Sequence, residues 1–137
     1  MRKRTQDPAY QRIRVELPAD LPLVLADENV VQSVLHHLLD NALKYAPESL
    51  VTVQVLPNRT GVRLQVVDEG PGIPPERRRF LFQRFQRLEA GDSQSVYGYG
   101  LGLYLSRRLL KAMRSNLNYE AGAAGGSCFY FSLKAAK

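Results

Sequence analysis

Four short stretches combine residue types and spacings that could do chemistry. In residues 36–45, HHLLDNALKY, His37, Asn41, Lys44 and Tyr45 fall at i, i+4, i+7 and i+8, so a helix would bring them to one face. An amide oxygen such as that of Asn41 is a hard neutral ligand suited to Mg²⁺, which keeps its other positions for phosphate oxygens and water. Lys44, one turn on, can meet phosphate as a point charge. Residues 66–74, VVDEGPGIP, run a strand into Asp68, with Gly70 and Gly72 two and four positions later. A carboxylate there can accept from an exocyclic amine such as that of adenine, and glycines let the backbone approach a flat ring. Residues 79–87, RFLFQRFQR, alternate aromatics (Phe80, Phe82, Phe85) with Arg79, Arg84 and Arg87. The aromatics could anchor a lid, and the arginines could meet phosphate. Residues 98–103, GYGLGL, lead into a helix, whose freed N–H groups would form an anion site.

The first three taken singly have plain alternatives, an amphipathic helix, a Gly-Pro turn and an aromatic core face, and the last, a lone GxGxG, is weak evidence by itself. The last is neither a Rossmann fingerprint, because no strand precedes it, nor a Walker A loop, because no GxxxxGK[ST] occurs. Their joint presence, in one order, within 137 residues is what carries weight.

The elements that must position them read as follows. Residues 1–9 are polar and read as a flexible N-terminal segment, leaving residues 10–137 as one domain. Residues 10–17 set Ile13, Val15 and Leu17 against Arg12, Arg14 and Glu16, a half-buried strand. Residues 23–26 read as a short apolar strand. Asp27 is an N-cap for a helix over Glu28–Tyr45, whose Val31, Val34, Leu35, Leu38, Leu39 and Ala42 keep helical spacing. Residues 50–56 and 61–67 read as a hairpin. Residues 76–88 read as a helix, 89–96 as a mobile loop and 101–113 as a second strong helix. Residues 117–121 and 128–133 read as closing strands around a Gly-rich turn. The order ββαββααββ is not strict βαβ alternation, so helices on one face of a mixed, largely antiparallel sheet fit best.

Composition sets bounds. Hydrophobic residues make up 45% and charged residues 23%, as in an ordinary globular domain. No apolar run approaches the length of a membrane helix, so any membrane span of a parent protein lies outside this segment. The net charge of +6 is spread over small groups such as Arg77, Arg78 and Arg79 rather than one stripe. No nucleic-acid-binding motif accompanies it. Cys128 is the one cysteine, which excludes an internal disulfide and a CxxC metal site and fits a reducing cytoplasm.

The four stretches resemble, in order, the N, G1, F and G2 boxes of two-component sensor histidine kinases, members of the gyrase-type (Bergerat-fold) ATPase superfamily. The likeness extends over about residues 13–133, including NYEAG at 118–122 and GSCFYFSL at 126–133. It implies an α+β fold: a two-layer α/β sandwich with a mixed sheet of about five strands packed against three helices. It implies a catalytic domain that binds ATP and Mg²⁺ and donates the γ-phosphoryl to a histidine on a separate dimerisation domain, with a response regulator downstream. By position, Asn41 would hold Mg²⁺, Lys44 would lie near the phosphates, and His37 and Tyr45 would edge the nucleotide site. Asp68 would bond the adenine amine, with Gly70, Gly72 and Ile73 shaping the ring pocket. Phe82 and Phe85 would anchor the lid, and Arg84 would approach the γ-phosphate. Gly98, Gly100, Leu101, Gly102 and Leu103 would wrap the phosphates.

Two departures qualify the likeness. The family usually has Asn one turn before the metal asparagine, where this chain has His37, and a small residue where it has Tyr99. Gyrase-type ATPases carry at the His37 position a glutamate that activates water, which sets an autonomous ATPase behind the kinase reading. A nucleotide-binding module without catalysis is the other alternative. The family's phosphoacceptor histidine is followed by an acid; His36 and His37 are not, so the acceptor is expected outside this chain.

Overall fold

The computed structural model describes residues 11–46, 49–78, 81–82, 94–122 and 125–136, with the backbone alone for residues 45 and 94–102. Five strands form one mixed sheet in the order β1-β2-β3-β5-β4. They are β1 (Ile13–Glu16), β2 (Val51–Pro57), β3 (Gly61–Asp68), β4 (Asn118–Ala121) and β5 (Ser127–Lys134). β1 lies parallel to β2, with Ile13 opposite Val51; the other pairings are antiparallel. Three helices complete the described residues: α1 (Glu28–Tyr45), α2 (Pro75–Arg78) and α3 (Gln94–Ala112). The result is the expected α+β two-layer sandwich.

Local chemistry explains the elements that carry the site. Asp27 caps α1, its Oδ1 accepting from the N–H groups of Asn29 at 2.9 Å and Val30 at 3.3 Å. Glu28 in the first turn and Lys44 in the last complement the helix dipole. Val34, Leu38 and Ala42, four residues apart, form the buried stripe. The β2–β3 turn is closed by Asn58, whose Oδ1 accepts from Thr60 N and Gly61 N. A Cβ at Gly61 would overlap the carbonyl of Leu133, so the β3–β5 pairing needs glycine there.

Alternation along the strands makes one face of the sheet apolar. Val51 and Val53, then Val62, Leu64 and Val66, then Phe129, Phe131 and Leu133, are buried in one core with Leu103 and Leu110 of α3. The opposite face carries a polar ladder. Gln54 donates to Glu16 at 2.7 Å and Gln65 to Gln54 at 2.6 Å. Arg63 lies 3.6 Å over the Tyr130 ring and pairs with Glu120 at 3.1 Å.

Three boundaries differ from the sequence expectations. Residues 23–26 form a single bridge, Val24 to Ala135, with Leu23 and Leu25 exposed. Pro22 cannot donate to a ladder, and only the tail of β5 is there to pair. The helix expected over 76–88 is the four-residue α2, followed by a turn at Leu81 and Phe82. Residues 79–80 and 83–93 lie outside the described residues, as do residues 1–10. α3 begins at Gln94, not at residue 101, so it takes in residues 94–96, expected in a loop, and the three glycines. No proline interrupts residues 94–112, and a helix already anchored by Leu103 and Leu110 propagates one bond per residue. Each glycine costs about 1 kcal/mol relative to Ala in that helix.

Candidate nucleotide-binding site

The site lies where the end of β3, the last turns of α1 and the start of β5 meet. Asp68 closes β3 opposite Ser127 of β5. Its Oδ1 accepts from Gly70 N at 2.9 Å. Burial pushes the Asp68 carboxyl above the ordinary carboxylate range, while the N–H groups of Gly70 and Ser127 pull it back. The carboxylate is thus half-buried and held in place.

Glycines set the walls. A Cβ at Gly70 would lie 2.5 Å from the Cβ of Ala46, the residue that ends α1. Gly72 has φ +78°, and a Cβ there would lie 2.7 Å from the carbonyl oxygen of Gly125. A Cβ at Gly126 would overlap the carbonyl oxygen of Asp68. The β4–β5 turn therefore presses directly on the loop after Asp68. Ile73 is buried behind it; its N–H points to the Tyr119 hydroxyl at 3.4 Å and its carbonyl accepts from Arg78 Nε at 2.9 Å.

These walls enclose a pocket lined by Leu38, Asn41, Ala42, Val66, Asp68, Pro71, Gly72, Ser127 and Phe129. Most of the lining is apolar, and a carboxylate and an amide are its main side-chain polar groups. Asn41 is 8% exposed, and its Nδ2 has no hydrogen-bond partner among the described residues. A buried polar group left so is uncommon and fits a ligand that completes it. Which end of the amide is nitrogen is an assignment, so the unpartnered position is equally open to the oxygen. Among the described residues, no cluster of three or more His, Cys, Asp or Glu could hold a metal ion. A cation at Asn41 would draw most of its ligands from phosphate and water.

The structure brings Asn41, Asp68 and Gly72 to one pocket, with Gly70 and Ile73 packed behind it. His37 is not among the lining residues. It is half-buried, with Nδ1 3.0 Å from Ser106 Oγ of α3. Burial lowers its pKa, the neighbouring His36 adds to this, and Asp40 opposes it. Lys44 stands on the exposed side of the last turn of α1, and Leu103 is fully buried in the core. Gly98, Gly100, Leu101 and Gly102 lie in the backbone of α3 rather than before it, and Tyr45 in the last turn of α1. Arg84 and Phe85 lie outside the described residues. Phe82 packs edge-on against Phe129 at 6.2 Å, and Arg107 lies 4.5 Å over the Phe82 ring.

Sequence reasoning missed Leu38, Ala42, Val66, Pro71, Ser127 and Phe129 as pocket walls, and Gly125 and Gly126 as the turn that shapes it. Leu38 and Ala42 were legible as a helix stripe and Gly126 as a turn. What joins them is the β3–β5 register.

Fold and pocket together are those of a two-layer sandwich domain in which the end of one strand places a carboxylate, and the facing helix an amide, in one pocket. A family model described as "Histidine kinase-, DNA gyrase B-, and HSP90-like ATPase" matches residues 26–137. The adaptive-response sensory kinase SasA of Gloeothece citriformis (strain PCC 7424) is 40% identical over 124 residues, 89% of this chain and 31% of that protein. SasA of Trichormus variabilis (strain ATCC 29413 / PCC 7937) is 37% identical over 125 residues, 90% of this chain and 31% of that protein. Among solved structures, the mycobacterial sensor histidine kinase MprB is similar with TM-score 0.71 at 26% identity, covering 97% of this chain and 92% of that one. Full-length ShkA in complex with AMPPNP gives TM-score 0.75 at 28% identity, covering 97% of this chain and 28% of that one. The chain belongs to the histidine kinase-, DNA gyrase B- and HSP90-like ATPase family, as an ATP-binding catalytic domain of the sensor histidine kinase kind. It spans 31% of the length of these two curated relatives.

Proposed function

We propose that this domain binds ATP with Mg²⁺ and presents the γ-phosphoryl to a histidine on a separate dimerisation domain of its parent protein. A response regulator would then take the phosphoryl group from that histidine. The reading rests on one observation: the held, half-buried carboxylate of Asp68 and the buried amide of Asn41, whose Nδ2 has no hydrogen-bond partner among the described residues, share one largely apolar pocket.

In this reading Asp68 accepts from the adenine amine, and Leu38, Val66 and Phe129 supply apolar surface beside the ring. Asn41 would hold Mg²⁺, which would supply charge neutralisation at the phosphates. Lys44 and Arg84 meet the phosphates, and Gly98, Gly100 and Gly102 give them backbone N–H groups. For that, the first turns of α3 must open, and the three glycines make those the cheapest turns to unwind. Tyr45, Leu101 and Phe85 border the nucleotide. Catalysis then comes from positioning and charge neutralisation; the nucleophile and its base arrive from the other domain. We place this work in the cytoplasm, in keeping with the free thiol of Cys128.

The test is radiolabelled ATP with this chain alone, with the parent's acceptor hairpin alone, and with both. Linkage supplies effective concentration rather than chemistry, so the hairpin in trans should still be labelled. Acid-labile label only in the mixture supports the reading. Brisk phosphate release by the chain alone would favour an autonomous ATPase. ATP binding with no transfer at any hairpin concentration would favour a binding module without catalysis.

A further inference from the structure

The C-terminal end of α1 is held by a side chain 31 to 37 residues upstream. The last carbonyls of a helix have no intrahelical partners and must be met elsewhere. Arg12, the residue before β1, meets that of Leu43 and the C-cap carbonyl of Ala46. Its guanidinium donates from Nη1 to the carbonyl of Ala46 at 2.9 Å and to that of Ser49 at 3.0 Å. From Nη2 it donates to the carbonyl of Leu43 at 3.2 Å. One planar fork thus ties the last turn of α1 to the chain that leaves it. A cation at a helix C-terminus also meets the negative end of the dipole.

The turn so held belongs to the nucleotide site. Asn41 and Ala42 line the pocket. Ala46, bonded directly to Arg12, sits against Gly70 so closely that Gly70 has no room for a Cβ. Gly70 in turn holds the Asp68 carboxylate. Contacts therefore run without a gap from Arg12 through Ala46 and Gly70 to Asp68.

Among the described residues, β1 offers little else to hold this end of the chain. It is a four-residue edge strand with Ile13 half-buried and Arg14, Val15 and Glu16 exposed. Much of its attachment is the ladder to β2 and the Arg12 fork.

We infer that Arg12 is a positioning residue that couples the segment entering β1 to the nucleotide pocket. Movement of that segment alters nucleotide affinity, and a bound nucleotide steadies that segment. The inference rests on the proposed nucleotide reading of the pocket.

The test uses the full 137-residue chain with ADP and Mg²⁺. Calorimetry compares wild type with Arg12→Ala and Arg12→Lys, the second keeping the charge but not the fork. Hydrogen exchange follows the amides of residues 13–16 with and without ADP. Coupling predicts about tenfold weaker ADP binding in Arg12→Ala, with a smaller loss in Arg12→Lys. It predicts that ADP slows exchange in β1 of wild type and not of the variants. It further predicts that millimolar guanidinium partly restores ADP affinity to Arg12→Ala and leaves wild type unchanged. A merely structural role would lower stability without moving the ADP-dependent exchange. If wild type binds ADP, while the variants bind within about twofold of it and protect β1 equally, the inference is overturned. Should Arg12→Ala not fold, Arg12→Lys decides by the same two readouts. If wild type binds no ADP, the nucleotide reading itself fails.

Discussion

Asp68 holds Gly70 through a 2.9 Å hydrogen bond from the Gly70 N–H to Oδ1, and Gly70 packs on Ala46 at the end of α1. One carboxylate thus sets the strand end and the loop beyond it, and in the proposed reading it also accepts from a ligand's amine. Asp68→Ala should weaken ADP binding by about 1.5–3 kcal/mol, the range for a hydrogen bond to a charged group. GTP should not bind wild type, since guanine presents a carbonyl where adenine presents the amine. Calorimetry decides; equal ADP affinity in the variant would remove Asp68 from the ring site.

Asp68 also has a signature in stability against pH. Its folded pKa is raised above the ordinary 3.8. A carboxyl so shifted contributes stability that is fully present below 3.8 and lost as pH rises through the folded value. Asp68→Asn cannot ionise, so relative to wild type it should gain stability as pH rises through that window. Urea melts from acid to neutral pH measure the difference, and an opposite slope would contradict the burial of this group.

Asn41 is buried and its Nδ2 has no hydrogen-bond partner among the described residues, so in the free protein it has little to lose on truncation. Asn41→Ala should melt within about 1 kcal/mol of wild type. It should abolish the strengthening of ATP binding by Mg²⁺. If Mg²⁺ strengthens ATP binding equally in the variant, the cation is held elsewhere.

The two adjacent glycines of the β4–β5 turn should differ in cost. Gly125 has φ +101° with open space around a Cβ. Gly125→Ala should therefore cost about 1–2 kcal/mol of left-handed backbone strain. Gly126→Ala drives a methyl into the Asp68 carbonyl and must displace β5 or the 68–72 loop. It should cost more than Gly125→Ala and should also lower ADP affinity. Denaturant melts and calorimetry on both variants give the order, and a reversed order would contradict the close approach at Gly126.

His37 and Ser106 join α1 to α3. The folded pKa of His37 is lowered below 6.5, so this group costs stability as pH falls below 6.5. His37→Gln should remove that part of the acid-side loss. Ser106→Ala should cost about 1 kcal/mol at neutral pH by leaving Nδ1 unpartnered. Thermal melts across pH 5–8 on both variants check this; a His37→Gln profile parallel to wild type would sink it.

Much of this protein was legible in its sequence because the relevant physics is local. The stripe Val34, Leu38, Ala42 and the Asp27 cap specify α1, and helical spacing alone carries Asn41 to the flank of that stripe. Alternation in β2 and β3 and the Asn58 turn specify the hairpin that ends on Asp68. Tertiary structure decided the rest because it depends on pairing between distant residues. The β3–β5 register brings Ser127, Phe129 and Gly126 to Asp68, across about 60 positions of chain that no local period links. Packing of α3 on α1 turned His37 toward Ser106 rather than the pocket. Propagation from Leu103 and Leu110 drew three glycines into a helix that local propensity would have begun later. The Arg12 fork, too, depends on carbonyls 31 to 37 residues away, exposed only once α1 has ended.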